Sequence, residues 1–279
     1  MERIPFGINR LDNTIDGGAP RGSVVLLSGE AGAGAREFMY TSAVMTGLAK
    51  CEDDLFDLHY GTLASNATLP DEIHYVSFTN ERDQIESEVD LSMEQTLGRR
   101  GFEEVEFCSL SESYFHRSPV PRRWYAQHTT DIRTLRKQHE ERQSLLSRFG
   151  DEVSNRAPGN LVIIDSLSDL VAAMGEDVEW SDINYLLKGM TKAAHEWSSL
   201  VLVHVNSETL SPTRHGQLVD NCSGTLQFRW ESGGSTRART LVVKNFRGVL
   251  SQIEAENIVT FETDLGDAGF NISDVRKIR

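Results

Sequence analysis

The sequence predicts an α/β fold built on a mostly parallel, doubly wound sheet with a C-terminal antiparallel hairpin extension. Apolar runs alternate with segments of helical periodicity through the first two-thirds of the 279-residue chain, which is the pattern of successive βαβ units. Residues 161–164 form a continuous apolar run, as expected for a strand buried on both faces. Residues 225–230 and 239–245 flank a Gly-Ser turn, which predicts a hairpin that extends one edge of the sheet.

The remaining elements follow from the same two periodicities. The predicted strands cover residues 24–27, 73–78, 105–110, 161–164, 200–205, 225–230, 239–245, 258–263 and 270–272. The predicted helices cover residues 35–49, 81–100, 130–149 and 181–197. We expect a single domain over residues 1–279, with insertions at about 51–70 and 112–158, because both stretches depart from the strand–helix alternation.

The composition is acidic and poor in lysine. The formal net charge is −14, and the 28 basic residues include only six lysines. Such a surface is typical of proteins in molar salt, where charges are screened over about 3 Å, and it predicts a halophilic source. The alternative is an acidic protein from a GC-rich genome. The negative charge also disfavours nucleic acid as a partner, because that binding depends on neutralising phosphates.

Two further observations concern the compartment. No apolar run approaches the roughly 18 residues of a membrane span, and the polar N-terminal segment does not resemble a secretory signal, so we expect a cytoplasmic protein without a membrane partner. Three widely spaced cysteines, Cys51, Cys108 and Cys222, form neither a disulfide framework nor a metal-binding spacing.

Residues 28–38 read SGEAGAGAREF and carry the glycine spacing of a phosphate-binding P-loop. Glycines let successive backbone N–H groups form an anion-binding nest at a helix N-terminus. However, Ala35 replaces the phosphate-binding lysine and Arg36 replaces the hydroxyl residue that holds Mg²⁺. The alternative is a glycine turn that only connects strand to helix. The candidate nucleotide-binding residues here are Gly29, Glu30, Ala31, Gly32, Ala33, Gly34, Ala35, Arg36 and Glu37.

Two polar positions follow buried strands at the edge where open α/β folds bind ligands. Asp165 ends the apolar run 161–164 and is the candidate ligand for Mg²⁺; alternatively it is a helix cap or turn residue. His204 lies near the end of the next strand, where it is either a polar sensor or part of a solvated strand end.

Five segments together resemble the KaiC-type ATPases of the RecA superfamily. They read IPFGINRLD at 4–12, GGAPRGS at 17–23, VSF at 76–78, DS at 165–166 and LVVKNFRG at 241–248. The resemblance covers nearly the whole chain outside the two insertions, and it is strongest to haloarchaeal HTR-like proteins. It implies a RecA-like P-loop NTPase fold, ATP as ligand, weakened Mg²⁺ binding, and a homo-oligomer or protein partner.

The chain departs from that family at the positions that the family uses to activate the attacking water. The family has a pair of glutamates after the strand at 75–78, where this sequence has Thr79 and Asn80, and Glu81 follows late. Asn80 can orient a water molecule but cannot accept its proton, so Glu81 and Asn80 are the catalytic candidates. We expect a pseudo-ATPase with a regulatory, signalling-type role. The alternatives are an active ATPase with an atypical P-loop and a DNA-recombination accessory protein.

The resemblance also implies residues that act across a subunit boundary. Arg247 matches the residue that reaches a neighbour's γ-phosphate in hexameric relatives. Lys244 lies nearby, although the family's basic position aligns more nearly with Asn245. The alternative is that Lys244 and Arg247 are ordinary charges on an edge strand.

Overall fold

The computed structural model describes residues 2–116, 118–126, 145–173, 179–233, 236–255 and 258–277. The strands are β1 (Arg3–Ile4), β2 (Ala19–Pro20), β3 (Ser23–Gly29), β4 (Ile73–Ser77), β5 (Val105–Ser109), β6 (Leu161–Asp165), β7 (Leu200–Asn206), β8 (Gly224–Gly233), β9 (Thr236–Phe246), β10 (Ile258–Gly266) and β11 (Gly269–Lys277). β1 and β2 form a small antiparallel pair, and the others form one nine-stranded sheet.

Helices connect these strands. They are α1 (Asn9–Thr14), α2 (Ala35–Cys51), α3 (Asp53–His59), α4 (Arg82–Ser92), α5 (Gln95–Glu103), α6 (Ser111–Phe115), α7 (Leu145–Arg156), α8 (Leu167–Ala172), α9 (Trp180–Trp197), α10 (Pro212–Asn221) and α11 (Leu250–Ala255), with 3-10 turns at Arg122–Trp124 and Ser207–Thr209. No helix among them is long and apolar enough to cross a bilayer.

The strand order β11-β10-β9-β8-β3-β7-β6-β4-β5 confirms the predicted fold class. β8, β3, β7, β6, β4 and β5 pair in parallel, whereas β9, β10 and β11 continue the sheet by antiparallel pairing. The chain leaves β3 for β4 and returns to fill the gap with β6 and β7, so the carboxyl ends of β3, β7 and β6 are neighbours.

Apolar side chains pack on both faces of this sheet. On one face, alternate residues of β3, such as Val25 and Leu27, join the buried side of α2. On the other face, Val24 and Leu26 pack with residues of α7 to α10. Both central strands β3 and β6 are buried along their full length, which agrees with their continuous apolar sequence.

The structure differs from the sequence prediction in three segments. The single helix predicted over 81–100 is wrong, because Met93 is extended and Glu94 caps a second helix by accepting a hydrogen bond from Leu97 N at 2.8 Å. Residues 53–59, predicted as loop, form α3. The helix predicted over 130–149 falls largely outside the described residues, and the part that is described continues to residue 156.

Candidate functional site

The glycine loop joins the carboxyl end of β3 to the N-terminus of α2. Gly32 and Gly34 adopt left-handed conformations, with φ of 71° and 107°. A Cβ on Gly34 would lie 2.9 Å from the ring of Phe270, so both conformation and space require glycine there. Gly34 is the N-cap of α2 and provides no capping side chain. The first N–H groups of a helix have no intrahelical acceptor, so this end of α2 is open to an anion.

Side chains from two other parts of the chain hold the loop in place. The Ala31 N–H donates to the carboxylate of Glu208 at 3.0 Å. The indole of Trp230 donates to the Ala31 carbonyl, and Nε of Arg239 donates to the Gly32 carbonyl, each at 3.0 Å. The Arg239 guanidinium stacks on Trp230, 4.7 Å from the ring centre. The loop is therefore fixed from outside, and Glu208 already places one negative charge on its N–H groups.

The other predicted loop residues have structural contacts. The Glu30 carboxylate accepts a hydrogen bond from Trp230 N at 3.0 Å, and Ala33 N donates to the Glu30 carbonyl at 3.0 Å. Ala35 is buried, and its Cβ would lie 2.7 Å from a Cβ built on Gly29. The position of the lysine is thus taken by a methyl group packed against the end of β3. Glu37 is half-buried and its carbonyl accepts from Thr41.

Asp165 lies at the end of β6 with only 1% of its surface exposed. Its Oδ2 accepts a hydrogen bond from the Tyr75 hydroxyl at 2.9 Å. Its Oδ1 faces two cationic or titratable groups, His204 Nδ1 at 3.4 Å and Arg36 Nη2 at 3.6 Å. Burial alone raises the pKa of Asp165, but His204, Arg36 and Tyr75 outweigh it and hold that pKa below its ordinary value. The carboxylate is therefore ionised at neutral pH.

Arg36 turns inward from the first turn of α2 and lies between two carboxylates. Its second amino group is 3.7 Å from Glu88, which also accepts a hydrogen bond from the Tyr40 hydroxyl. Burial lowers the pKa of Arg36, but Asp165, Tyr40, Tyr75 and Glu88 more than reverse this and raise it. About 41% of the Arg36 side chain stays exposed.

These residues do not fit a divalent metal ion. Mg²⁺ requires near-octahedral oxygen ligands, and this site offers one buried carboxylate with a guanidinium 3.6 Å away. Across the described residues, no group of three or more His, Cys, Asp or Glu side chains is arranged to hold a metal. The alternative that Asp165 is a helix cap is also disfavoured, because Ser166 caps α8 through a bond from Asp169 N.

The two catalytic candidates lie at the carboxyl end of β4. Asn80 N donates to the Ser77 hydroxyl at 3.0 Å, and its side chain is partly exposed. Glu81 is the N-cap of α4 in a reciprocal capping box with Gln84. Its Oε1 also accepts hydrogen bonds from the hydroxyls of Ser109, at 2.9 Å, and Ser111. Glu81 thus has a sufficient structural role, and its catalytic role stays a prediction.

Arg247 follows the end of β9 at the edge of the sheet away from this chain's own loop, whereas Lys244 lies near His215, which hydrogen-bonds Ser28 beside the loop. Phe246, next to Arg247, pairs with the first residue of β8, whereas Gly29 at the loop pairs four residues further along, with Phe228. Both basic side chains are exposed. Their predicted action on a neighbouring subunit stays a prediction.

Sequence reasoning missed several residues of this site. Tyr75 precedes Ser77 by two residues, and Ser77 pairs in parallel register with Asp165; that register is visible only in the structure, so the contact with Asp165 was not predictable. Glu208 and Trp230 had no readable signal either, since their contacts with the loop depend on how the 3-10 turn after β7 and strand β8 pack around it. Tyr40, Glu88 and Arg239 likewise depend on tertiary packing.

One solved structure gives the fold a reference. The crystal structure of a KaiC-like protein from the hyperthermophilic archaeon Pyrococcus horikoshii OT3 aligns with 98% of this chain and 99% of its own, with a TM-score of 0.58 and 15% sequence identity. The fold is KaiC-like. No protein-family model matches the sequence, and no curated protein matches it. The KaiC-like fold accounts for the position of the glycine loop beside Asp165, and at 15% identity it leaves the chemistry to the residues themselves.

Proposed function

We propose that this KaiC-like chain is a nucleotide-binding regulatory protein of the signalling type, with weak or no ATP hydrolysis. The observation that carries the proposal is a difference between the backbone and the side chains of the site. The backbone of the glycine loop keeps the geometry of an anion nest, whereas Ala35 and Arg36 replace the side chains that act on the phosphates and the metal ion.

Retained binding is supported by the N-terminus of α2. This helix is 17 residues long, and its aligned peptide dipoles favour an anion at its open end. Gly32 and Gly34 turn the preceding backbone toward the same point. None of these contributions needs a lysine, because they come from main-chain N–H groups.

Loss of hydrolysis is supported by three side chains. Ala35 supplies no charge to the β- and γ-phosphates, Arg36 is paired with Asp165, and Glu81 caps α4. Removal of charge stabilisation from phosphoryl transfer costs orders of magnitude in rate. A switch needs no turnover, only a ligand that binds two states with different affinity.

The partner in this proposal is a second copy of the chain or another cytoplasmic protein. The exposed positions of Lys244 and Arg247 suit contact with a neighbouring subunit, and Arg247 lies on the edge away from this chain's own loop. The net charge of −14 is consistent with a haloarchaeal, HTR-like protein and disfavours a recombination accessory that binds DNA.

Calorimetric titration with ATP in molar KCl and Mg²⁺, followed by a phosphate-release assay, tests this function. We expect saturable binding with phosphate release at background. Gly32→Val, which forces a β-branched residue into a left-handed conformation, should weaken binding at least tenfold. Gly189→Ala is the matched control, since nothing lies within 4 Å of a Cβ at that position in α9.

Two results would contradict the proposal in different ways. Absence of binding at millimolar ATP would show that the loop is only a connecting turn. Steady turnover would show an active ATPase, and loss of that turnover in Glu81→Gln would identify its base.

A further inference from the structure

We propose that nucleotide binding at this site is independent of Mg²⁺, because the Arg36 guanidinium supplies the positive charge at Asp165 that a metal ion supplies in other P-loop sites. This inference rests on the proposed function, since it concerns the same loop. It deepens that function by stating that the site needs no bound metal ion, so it takes the free nucleotide as well as its magnesium complex.

Both oxygens of Asp165 already have polar neighbours, although within the described part of the chain Oδ1 accepts no hydrogen bond and faces only Arg36 and His204. Among the carboxylates that the structure describes, only Asp12 and Asp165 are buried, and Asp12 belongs to the N-terminal segment. Oδ2 of Asp165 accepts from Tyr75, and Oδ1 lies 3.6 Å from Arg36. A divalent ion at Oδ1 would therefore stand against a guanidinium that is permanently charged.

Arg36 is also held in this position from its other side. Glu88 lies 3.7 Å from its second amino group and is itself fixed by the Tyr40 hydroxyl. A swing of Arg36 toward solvent would leave Asp165 buried without its charged partner, which is costly for an ionised carboxylate. The local arrangement thus favours the guanidinium over a metal ion as the resident cation.

Arg36 lies in the first turn of α2, and part of its side chain remains accessible there. A guanidinium carries five donors in a planar fork that matches phosphate oxygens. One side of that fork is directed at Asp165 and Glu88, and about 41% of the side chain remains accessible. Arg36 can therefore hold the carboxylate and meet a phosphate group at the same time, which is the bridging task of a metal ion.

The test compares ATP affinity in excess EDTA and in excess Mg²⁺, by calorimetry, for the wild-type chain and three variants. The dissociation constants of the wild-type chain for ATP should agree within about twofold between the two buffers. Arg36→Thr restores a hydroxyl and removes the cation, so it should bind at least tenfold more weakly in EDTA and recover with Mg²⁺. Arg36→Lys should retain metal independence. Arg99→Thr removes an exposed arginine that is paired with Asp90 and should behave as wild type.

A second readout does not depend on nucleotide. Mn²⁺ titration followed by electron paramagnetic resonance should detect no protein-bound ion in wild type and a bound ion in Arg36→Thr, which Asp165→Asn in the same chain abolishes. ATP binding that requires Mg²⁺ in wild type, or Mn²⁺ bound to wild type and released by Asp165→Asn, would overturn the inference and leave the proposed function standing. Absence of ATP binding in both buffers would overturn the proposed function and this inference with it.

Discussion

The glycine loop and the cluster around Asp165 lie at the same edge of the sheet, but they differ in what determines them. The loop depends on main-chain conformation, set by Gly32 and Gly34. The cluster depends on side chains, with Arg36, Tyr75 and His204 arranged around one buried carboxylate. The loop has the left-handed glycines of an anion-binding turn, whereas the cluster contains an internal ion pair between Arg36 and Asp165.

Under the proposed function, the two parts of the site respond differently to substitution. Backbone donors persist through any substitution that leaves the conformation possible, so we expect nucleotide binding to tolerate Ala35. Charge stabilisation of phosphoryl transfer comes from side chains, so we expect hydrolysis to be weak or absent. Perturbing each part separately should therefore produce separable effects.

The largest effect should come from the loop. Gly34→Val should lower the free energy of unfolding by about 3 kcal/mol, because it combines a left-handed backbone with crowding against Phe270. Urea denaturation measures the change, and Gly189→Ala, expected to be neutral or slightly stabilising, is the control. A loss below about 1 kcal/mol would mean that the loop relaxes and is less fixed than its contacts imply.

A smaller effect should follow from removing the Asp165 carboxylate. Asp165→Ala should lower the free energy of unfolding by about 2 kcal/mol. This loss is smaller than is usual for breaking a buried ion pair, because Arg36 is partly hydrated. Since the folded-state pKa of Asp165 is lowered, its stabilising contribution is present above about pH 4 and is lost as pH falls through that lowered pKa.

Denaturation curves at pH 7 and at pH 3 measure this contribution. The difference between wild type and Asp165→Ala should shrink at the lower pH. Tyr75→Phe, which keeps the charge and removes one hydrogen bond, should cost about 1 kcal/mol. A difference that is the same at both pH values would show that Asp165 contributes by packing rather than by charge.

The smallest effect concerns Glu81. Glu81→Ala should cost about 1 kcal/mol through loss of the α4 cap, with no change in ATP affinity. Glu94→Ala, which removes the equivalent cap of α5, should cost a similar amount when both are measured by thermal denaturation. If Glu81→Ala changed ATP affinity or hydrolysis and Glu94→Ala did not, Glu81 would belong to the nucleotide site as well as capping α4.

The fold was predictable from the sequence because strands that are buried on both faces consist of continuous apolar residues. Continuous apolar runs located β3 and β6, and the Gly-Ser turn located the β8–β9 hairpin. The division of the helix predicted over 81–100 was missed, because Glu94 reads as one more charged helix residue until its capping bond to Leu97 is seen.

The candidate site was predictable only in its backbone. Glycine spacing identified the loop, and an apolar run ending in a carboxylate identified Asp165. The direction of Arg36 was not predictable, because successive helix positions are rotated by about 100° and either inward or outward placement was consistent with the sequence. Its partner Glu88 lies 52 positions further along the chain, on α4, so only folding brings the two together.

Trp230 makes the loop observable without a label. Its indole donates to the Ala31 carbonyl, its ring lies beside Gly32, and the Arg239 guanidinium stacks on that ring. Indole emission responds to nearby charge and to hydrogen bonding, so displacement of Glu208 from the loop by an incoming anion would alter the spectrum of this residue. The chain has four tryptophans, and subtracting the emission of Trp230→Phe isolates the signal of the one that touches the loop. Rapid-mixing fluorescence could then measure the rate at which a ligand reaches the loop, separately from any turnover.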